Sequence, residues 1–286
     1  MTSPARALER FDLPLTVGDT QVNLAGLRRD GTATPLVFLH GFGSTKEDYA
    51  DVVRQPELAG HPVLAYDAPG CGATTCTDLA AVTIPFLVRV AEQVLRATGV
   101  DRCHLVGHSM GGLAALLLAD RDPTRIAGFI DIEGNLAPED CFLSRQVVTH
   151  PHDDADTFLA RFAERVGGSG HYSSALYAAS LPHKVRAGAV KSIFESMVAL
   201  SDNAGLLDRF LGLPMPRMFL YGEQNSALTY LPALAEGGVE LASISRSAHF
   251  PMYANPPRMW ARIAEHVAHA ESRAENRTVR AVAKDG

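Results

Sequence analysis

A serine set between glycines, "GHSMG" at Gly107–Gly111, is the residue of this chain best placed to do chemistry. An apolar run, "CHLV", precedes it and a second, "LAALLLADR", follows. A strand that turns sharply into a helix here exposes the Ser109 hydroxyl, and the glycines admit the close backbone approach of such a turn. The helix N-terminus also sets partial positive charge beside an oxygen that becomes negative when a carbonyl is attacked. The chemistry that fits is acyl transfer: serine attacks a carbonyl, an acyl-enzyme forms, and a second nucleophile resolves it. An oxyanion then needs two backbone N–H donors. Met110, the residue after the serine, supplies one, and Phe42 in the turn "FLHGFGST" at 38–45 is expected to supply the other. His40 and His108 stand in the same turns and are read as residues that shape them.

Periodicity predicts the elements that must hold these groups. Strands are expected at 13–17 and 20–29, joined through Gly18 and Asp19 as a hairpin. Short apolar runs at 35–40, 62–67 and 103–108 suit strands buried on both faces. Further strands are expected at 127–133, 216–222 and 239–245. Helical patterns lie between them, one over 78–99 with a bend at Pro85 and a stop at Gly99, and a closing one over 256–270 that starts with proline. The alternation implies an α/β fold with a mainly parallel sheet and helices on both faces. From Leu136 to Leu213 no strand pattern occurs, and "DADTFLARFAERV", "SSALYAAS" and "VRAGAVKSIFESMVAL" read as helices. The expected organisation is therefore a core of residues 1–135 and 214–270, a helical cap at 136–213, and a polar tail at 271–286 that frays.

Four stretches taken together, "HGFGS", "YDAPGCGAT" at 66–74, "GHSMGG" and "SAHFPMYANP" at 247–256, resemble the α/β-hydrolase superfamily in type and in order, over residues 35–270. The resemblance implies the α/β-hydrolase fold, with Ser109 as nucleophile. It also implies that His249 is the general base and later acid. The family's histidine sits in a loop between the last strand and the closing helix, followed by an apolar residue and an Asn-Pro pair, and the other ten histidines lack that setting. Similar enzymes usually carry an aspartate a few residues after the strand read here as "RMFLYG". In "YGEQNSALTY" that place is taken by Asn225 and Ser226, which hold no charge, and Glu223 is the only acid of the turn. Alternation sets Asp131 and Glu133 on one face of the preceding strand, with Glu133 at the C-terminal edge where sites of open α/β sheets gather. Haloalkane dehalogenases and fungal-type zearalenone lactonases resemble this arrangement. Glu133 is thus expected to orient His249, ahead of Glu223 and Asp131, and the order serine–acid–histidine is kept.

Composition narrows the function classes. The 286 residues carry a formal charge of −6 without a strong basic cluster, which argues against a nucleic-acid surface. No apolar run approaches the ~18 residues of a membrane span, and the N-terminal stretch has no signal-peptide run, so a cytoplasmic location is expected. The four cysteines are expected as free thiols. The serine scheme requires neither a metal nor an organic cofactor, and "HPHDD" at 150–154 reads as a solvated turn rather than a metal site. The cap is expected to set substrate choice, with Phe142, Tyr172, Tyr177, Phe194 and Met197 as candidate pocket residues. The expected function is a serine hydrolase acting on a small-molecule carboxylic ester, lactone or thioester. The alternatives are acyl transfer or cyclisation, or a non-hydrolytic ligand-binding member of the same fold.

Overall fold

The structure is a computed structural model that describes residues 7–150 and 154–282. It begins with the expected hairpin. Strands β1 (Glu9–Val17) and β2 (Thr20–Arg29) pair antiparallel about Gly18, whose φ of +61° is a conformation glycine adopts without strain. Then come β3 (Leu36–Leu39), β4 (Val63–Tyr66), the short β5 (Thr75–Cys76), β6 (Cys103–His108), β7 (Ile126–Ile132), β8 (Arg217–Gly222) and β9 (Glu240–Ile244). The sheet order is β1-β2-β4-β3-β6-β7-β8-β9, with β5 beside β2. From β4 to β9 all neighbours are parallel. Every residue of β3, β4, β6 and β7 is buried, as continuous apolar runs require of strands covered on both faces.

The helices are α1 (Ile84–Ala97), α2 (Met110–Arg121), α3 (Gln146–Thr149), α4 (Ala155–Gly167), α5 (Tyr172–Lys184), α6 (Val190–Asn203), α7 (Leu206–Gly212), α8 (Leu231–Glu236), α9 (Pro251–Ala254) and α10 (Pro256–Val282). Two differ from the sequence expectation. Pro85 does not bend a helix begun at 78; it lies in the first turn of α1, where no intrahelical N–H is needed. Thr83 caps that turn by accepting from the Phe86 amide at 3.3 Å. At the other end, α10 continues to Val282, past residue 270 where a tail was expected.

Between β7 and β8 the described residues are helical and contain no strand. This segment is tied to the C-terminal edge of the sheet. Phe194 of α6 meets Phe42 edge to face at 4.5 Å and Phe162 of α4 at 5.4 Å. The Tyr177 hydroxyl of α5 donates to the Phe42 carbonyl at 2.9 Å, and the Gly72 amide donates to the Lys184 carbonyl at 2.8 Å. No helix among the described residues is long and apolar enough to cross a membrane.

At the opposite side of the sheet, His104 of β6 is wholly buried, and neither ring nitrogen has a hydrogen-bond partner among the described residues. Burial above all, then His61, His266 and Arg102, pushes its pKa down from 6.5 to about 3. The folded chain therefore keeps His104 neutral where the unfolded chain binds a proton, so stability is lost as pH falls through 6.5 toward 3. We expect the unfolding free energy from urea titration to be about 2 kcal/mol lower at pH 5 than at pH 8 on account of this residue. His104→Leu should flatten that part of the profile. An equal loss in both proteins would mean that other groups cause it.

Candidate active site

Ser109 joins β6 to α2 with φ 52° and ψ −117°, a conformation that costs a non-glycine residue about 1–3 kcal/mol. The turn is closely packed on both sides. A Cβ on Gly107 would lie 2.6 Å from the Gly111 carbonyl oxygen, and one on Gly111 would lie 2.2 Å from that of Leu39. The Ser109 amide donates to the Ile132 carbonyl at 2.9 Å, so β7 holds the turn from the side. The register of β6 against β7 sets Gly107 opposite Asp131 and His108 opposite Ile132. One residue further on, Ser109 and Glu133 leave the sheet side by side.

Glu133 also has a positive φ, 51°, and its amide donates to the Leu220 carbonyl at 3.0 Å. Its carboxylate accepts three hydrogen bonds. Oε1 takes the Gly222 amide at 2.7 Å, while Oε2 takes Asn225 Nδ2 at 2.6 Å and His249 Nδ1 at 3.1 Å. A carboxylate at Nδ1 requires the proton there, which leaves the Nε2 lone pair for Ser109 Oγ, 3.0 Å away. His249 stands between β9 and α9 in a loop where Arg246 and Ala248 also have positive φ. His108 fixes its backbone: the buried Nε2–H donates to the His249 carbonyl at 2.9 Å, and burial holds the His108 pKa well below 6.5.

The other two candidate acids lie elsewhere. Glu223 Oε1 accepts from the Arg246 amide at 2.8 Å and so braces the histidine loop from outside. Asp131 is wholly buried beneath α2; burial pushes its carboxyl well up, and Oδ1 accepts from the Gly134 amide at 2.9 Å. Asn225, which stands where an aspartate was sought, bonds Glu133 rather than the imidazole. That role was not legible in the sequence.

The turn expected to supply the second oxyanion donor is cross-linked to the turn after β4. His40 Nδ1 donates to the Gly41 carbonyl at 2.7 Å, and Nε2 accepts from the Ala68 amide at 2.8 Å, so both nitrogens are occupied in structural bonds. Buried Asp67 receives Lys46 Nζ at 2.7 Å and the amides of Lys46 and Ala73 at 2.9 and 2.8 Å. Met110 is the first residue of α2, and no carbonyl among the described residues accepts from its amide or from that of Phe42.

Two spaces adjoin His249. A slot of about 20 Å³ lies beside Ser109, walled by Phe42, Phe162, Tyr177, Phe194 and Met197. A chamber of about 280 Å³ also borders His249, along with Gln146, Arg165, Ser169, His171 and Asn225. Phe142 borders both, its ring edge-on to His249 at 5.3 Å. Tyr172 corrects an expectation. It opens α5 on the solvent side, is 77% exposed and borders neither space, whereas Tyr177 of the same helix faces inward. Helical phase decides which of the two turns in. Asp140 borders the slot with its oxygens already bonded to the Tyr230 hydroxyl and to the amides of Leu136 and Ala137, and burial raises its carboxyl to about 6.

All four cysteines are free, and burial pushes the Cys71 thiol up to about 12. No group of three or more His, Cys, Asp or Glu side chains among the described residues is arranged to hold a metal ion. Within the stretch "HPHDD", residues 151–153 lie outside the described residues.

A model of the alpha/beta hydrolase family matches residues 36–263. A putative carbamate hydrolase, RutD, of Variovorax paradoxus is 43% identical over 81 residues, 27% of this chain and 30% of that protein. A proline iminopeptidase of Lactobacillus delbrueckii subsp. lactis is 33% identical over 123 residues, 41% of each chain. The matches span less than half the length of these curated relatives. Among solved structures, a carboxylesterase linked to the archaeon Nitrososphaera gargenis superposes with a TM-score of 0.72 at 17% identity, covering 91% of this chain and 99% of the other.

Proposed function

This chain belongs to the alpha/beta hydrolase family, and on that premise we propose that it is a serine hydrolase that opens a carboxylic ester, lactone or thioester through an acyl-enzyme on Ser109. The observation that carries the reading is the chain of contacts from Ser109 Oγ to His249 Nε2 at 3.0 Å and from His249 Nδ1 to Glu133 Oε2 at 3.1 Å. Ser109 Oγ bonds to the substrate carbonyl carbon as its proton passes to His249 Nε2. The amides of Phe42 and Met110 receive the oxyanion. Collapse breaks the bond to the leaving group, which takes the proton from His249. Water then repeats the sequence on the acyl-enzyme and frees Ser109 and the acid.

Glu133 stabilises the imidazolium formed in each half, with Gly222 and Asn225 holding its carboxylate in place. Residues 136–213 act as a cap over a core of residues 1–135 and 214–270. The relatives of similar sequence, a putative carbamate hydrolase and a proline iminopeptidase, support bond-splitting at a carbonyl as the common chemistry. A fluorophosphonate probe tests the reading. The chain should gain the mass of one probe less the HF released, mapped by peptide sequencing to Ser109, and phenyl acetate should slow that labelling. A probe that fails to react, or that reacts at another residue, would contradict it.

The cap controls acyl length because Phe194, Phe162 and Met197 wall the slot beside Ser109. Phe194→Ala is expected to raise the ratio of kcat/KM for phenyl hexanoate over phenyl acetate roughly tenfold, within the range that a few methylenes in an apolar pocket command. An unchanged ratio would assign Phe194 to packing alone.

A further inference from the structure

The slot beside Ser109 is walled mainly by aromatic rings and a methionine, and among its polar groups one hydroxyl stands without a partner among the described residues. Ser144 is 2% exposed and borders the slot, and its Oγ has no hydrogen-bond partner among the described residues. The polar groups around it are paired. Asp140 is bonded through both oxygens, and the Tyr177 hydroxyl donates to the Phe42 carbonyl. The slot's other unpaired atom, His108 Nδ1, faces Gly41, where even a Cβ would lie 2.6 Å from it, so no ligand atom fits between them. A buried hydroxyl without a partner is unfavourable, and its presence in a substrate cavity calls for a partner that arrives with the ligand.

Which part of the ligand arrives there follows from proton traffic. The leaving group receives its proton from His249, and the larger chamber borders His249 but not Ser109 or Phe42. The slot borders all three residues, so the acyl group bonded to Ser109 occupies the slot. At about 20 Å³ against about 280 Å³, it is also the smaller space. Resting on the acyl-enzyme reading above, we propose that Ser144 is a specificity-determining residue whose hydroxyl bonds an oxygen atom carried by a short acyl group. The preferred substrates are then esters of small oxygen-bearing acids rather than of plain fatty acids.

Phenyl hydroxyacetate and phenyl propanoate test this, because their acyl groups differ by OH for CH₃. Each kcat/KM is divided by the rate of hydroxide-catalysed hydrolysis, which removes intrinsic reactivity. The corrected ratio of hydroxyacetate to propanoate should exceed one in the native chain and fall about 3- to 10-fold in Ser144→Ala, as expected for one neutral hydrogen bond. The ratio is taken within one preparation, so a partly folded variant does not distort it. A native ratio of one or less, or a ratio unchanged by Ser144→Ala, overturns the inference while labelling of Ser109 and turnover stand. Loss of the Ser109 label in the native chain removes the acyl-enzyme, and this inference falls with it.

Discussion

Ser109→Ala is expected to abolish fluorophosphonate labelling and to lower turnover of phenyl acetate by on the order of 10⁶-fold, the loss seen when a triad nucleophile is removed. Among the described residues no second nucleophile is placed to replace it. Cys71 and Cys103 are buried thiols, each pushed up to about 12 by desolvation. Ser144 Oγ has no hydrogen-bonded base. The fold should survive, because alanine bears the same strain at φ 52° as serine and the Ser109 amide bond to Ile132 remains. Intact-mass spectrometry of probe-treated protein, with a thermal melt beside it, checks both statements. Labelling at the native rate in the folded variant would remove the serine mechanism.

Glu133→Gln is expected to slow acylation by roughly 10²- to 10⁴-fold while leaving the chain folded. Glutamine keeps the shape of the side chain and loses one acceptor. Three donors, the Gly222 amide, Asn225 Nδ2 and His249 Nδ1, now converge on the carboxylate. An amide oxygen serves one end of that set, and the amide NH₂ faces donors at the other. The imidazole relieves the clash by moving its proton from Nδ1 to Nε2, and Nε2 then no longer accepts from Ser109. The charge that favours the imidazolium is lost as well. Glu223→Gln should change the rate far less, since Glu223 contacts the Arg246 amide and not the ring. Rapid-mixing measurement of the acylation burst with a phenolic ester separates the outcomes. A near-native burst in Glu133→Gln, with slow acylation in Glu223→Gln, would move the acid's role to Glu223.

In the proposed relay, the place of an aspartate after β8 is taken by Asn225. Asn225 donates to Glu133 at 2.6 Å, a contact that two carboxylates could not share without one of them taking a proton. One charged acid and one amide across the gap between β7 and β8 thus hold a single negative charge against His249. On the proposed mechanism the acid is supplied from the neighbouring strand.

What the sequence determined by itself was whatever depends on neighbours along the chain. The hairpin at Gly18, the buried runs of β3, β4 and β6, and the serine turn were legible because their signals are glycine position and apolar run length, which act within a few residues. His249 was legible for the same reason, through the loop that surrounds it. Local signals failed at α1, where the apolar stretch before Thr83 imitated a helix, and at Tyr172, where composition did not fix helical phase.

The choice among Glu133, Glu223 and Asp131 could only be ranked. The contact that separates them joins residues 116 positions apart and depends on the register of β6 on β7, the φ of +51° at Glu133 and the Asn225 bond across from β8. Ser144 carried no sequence signal at all, because it stands outside every motif and every helical pattern, in the turn that precedes α3. Only folding buries it at the edge of the slot that Phe194 and Met197 also line, with its hydroxyl left without a partner among the described residues. Pairing and burial are set by which distant surfaces meet, and that is decided only when the chain is folded.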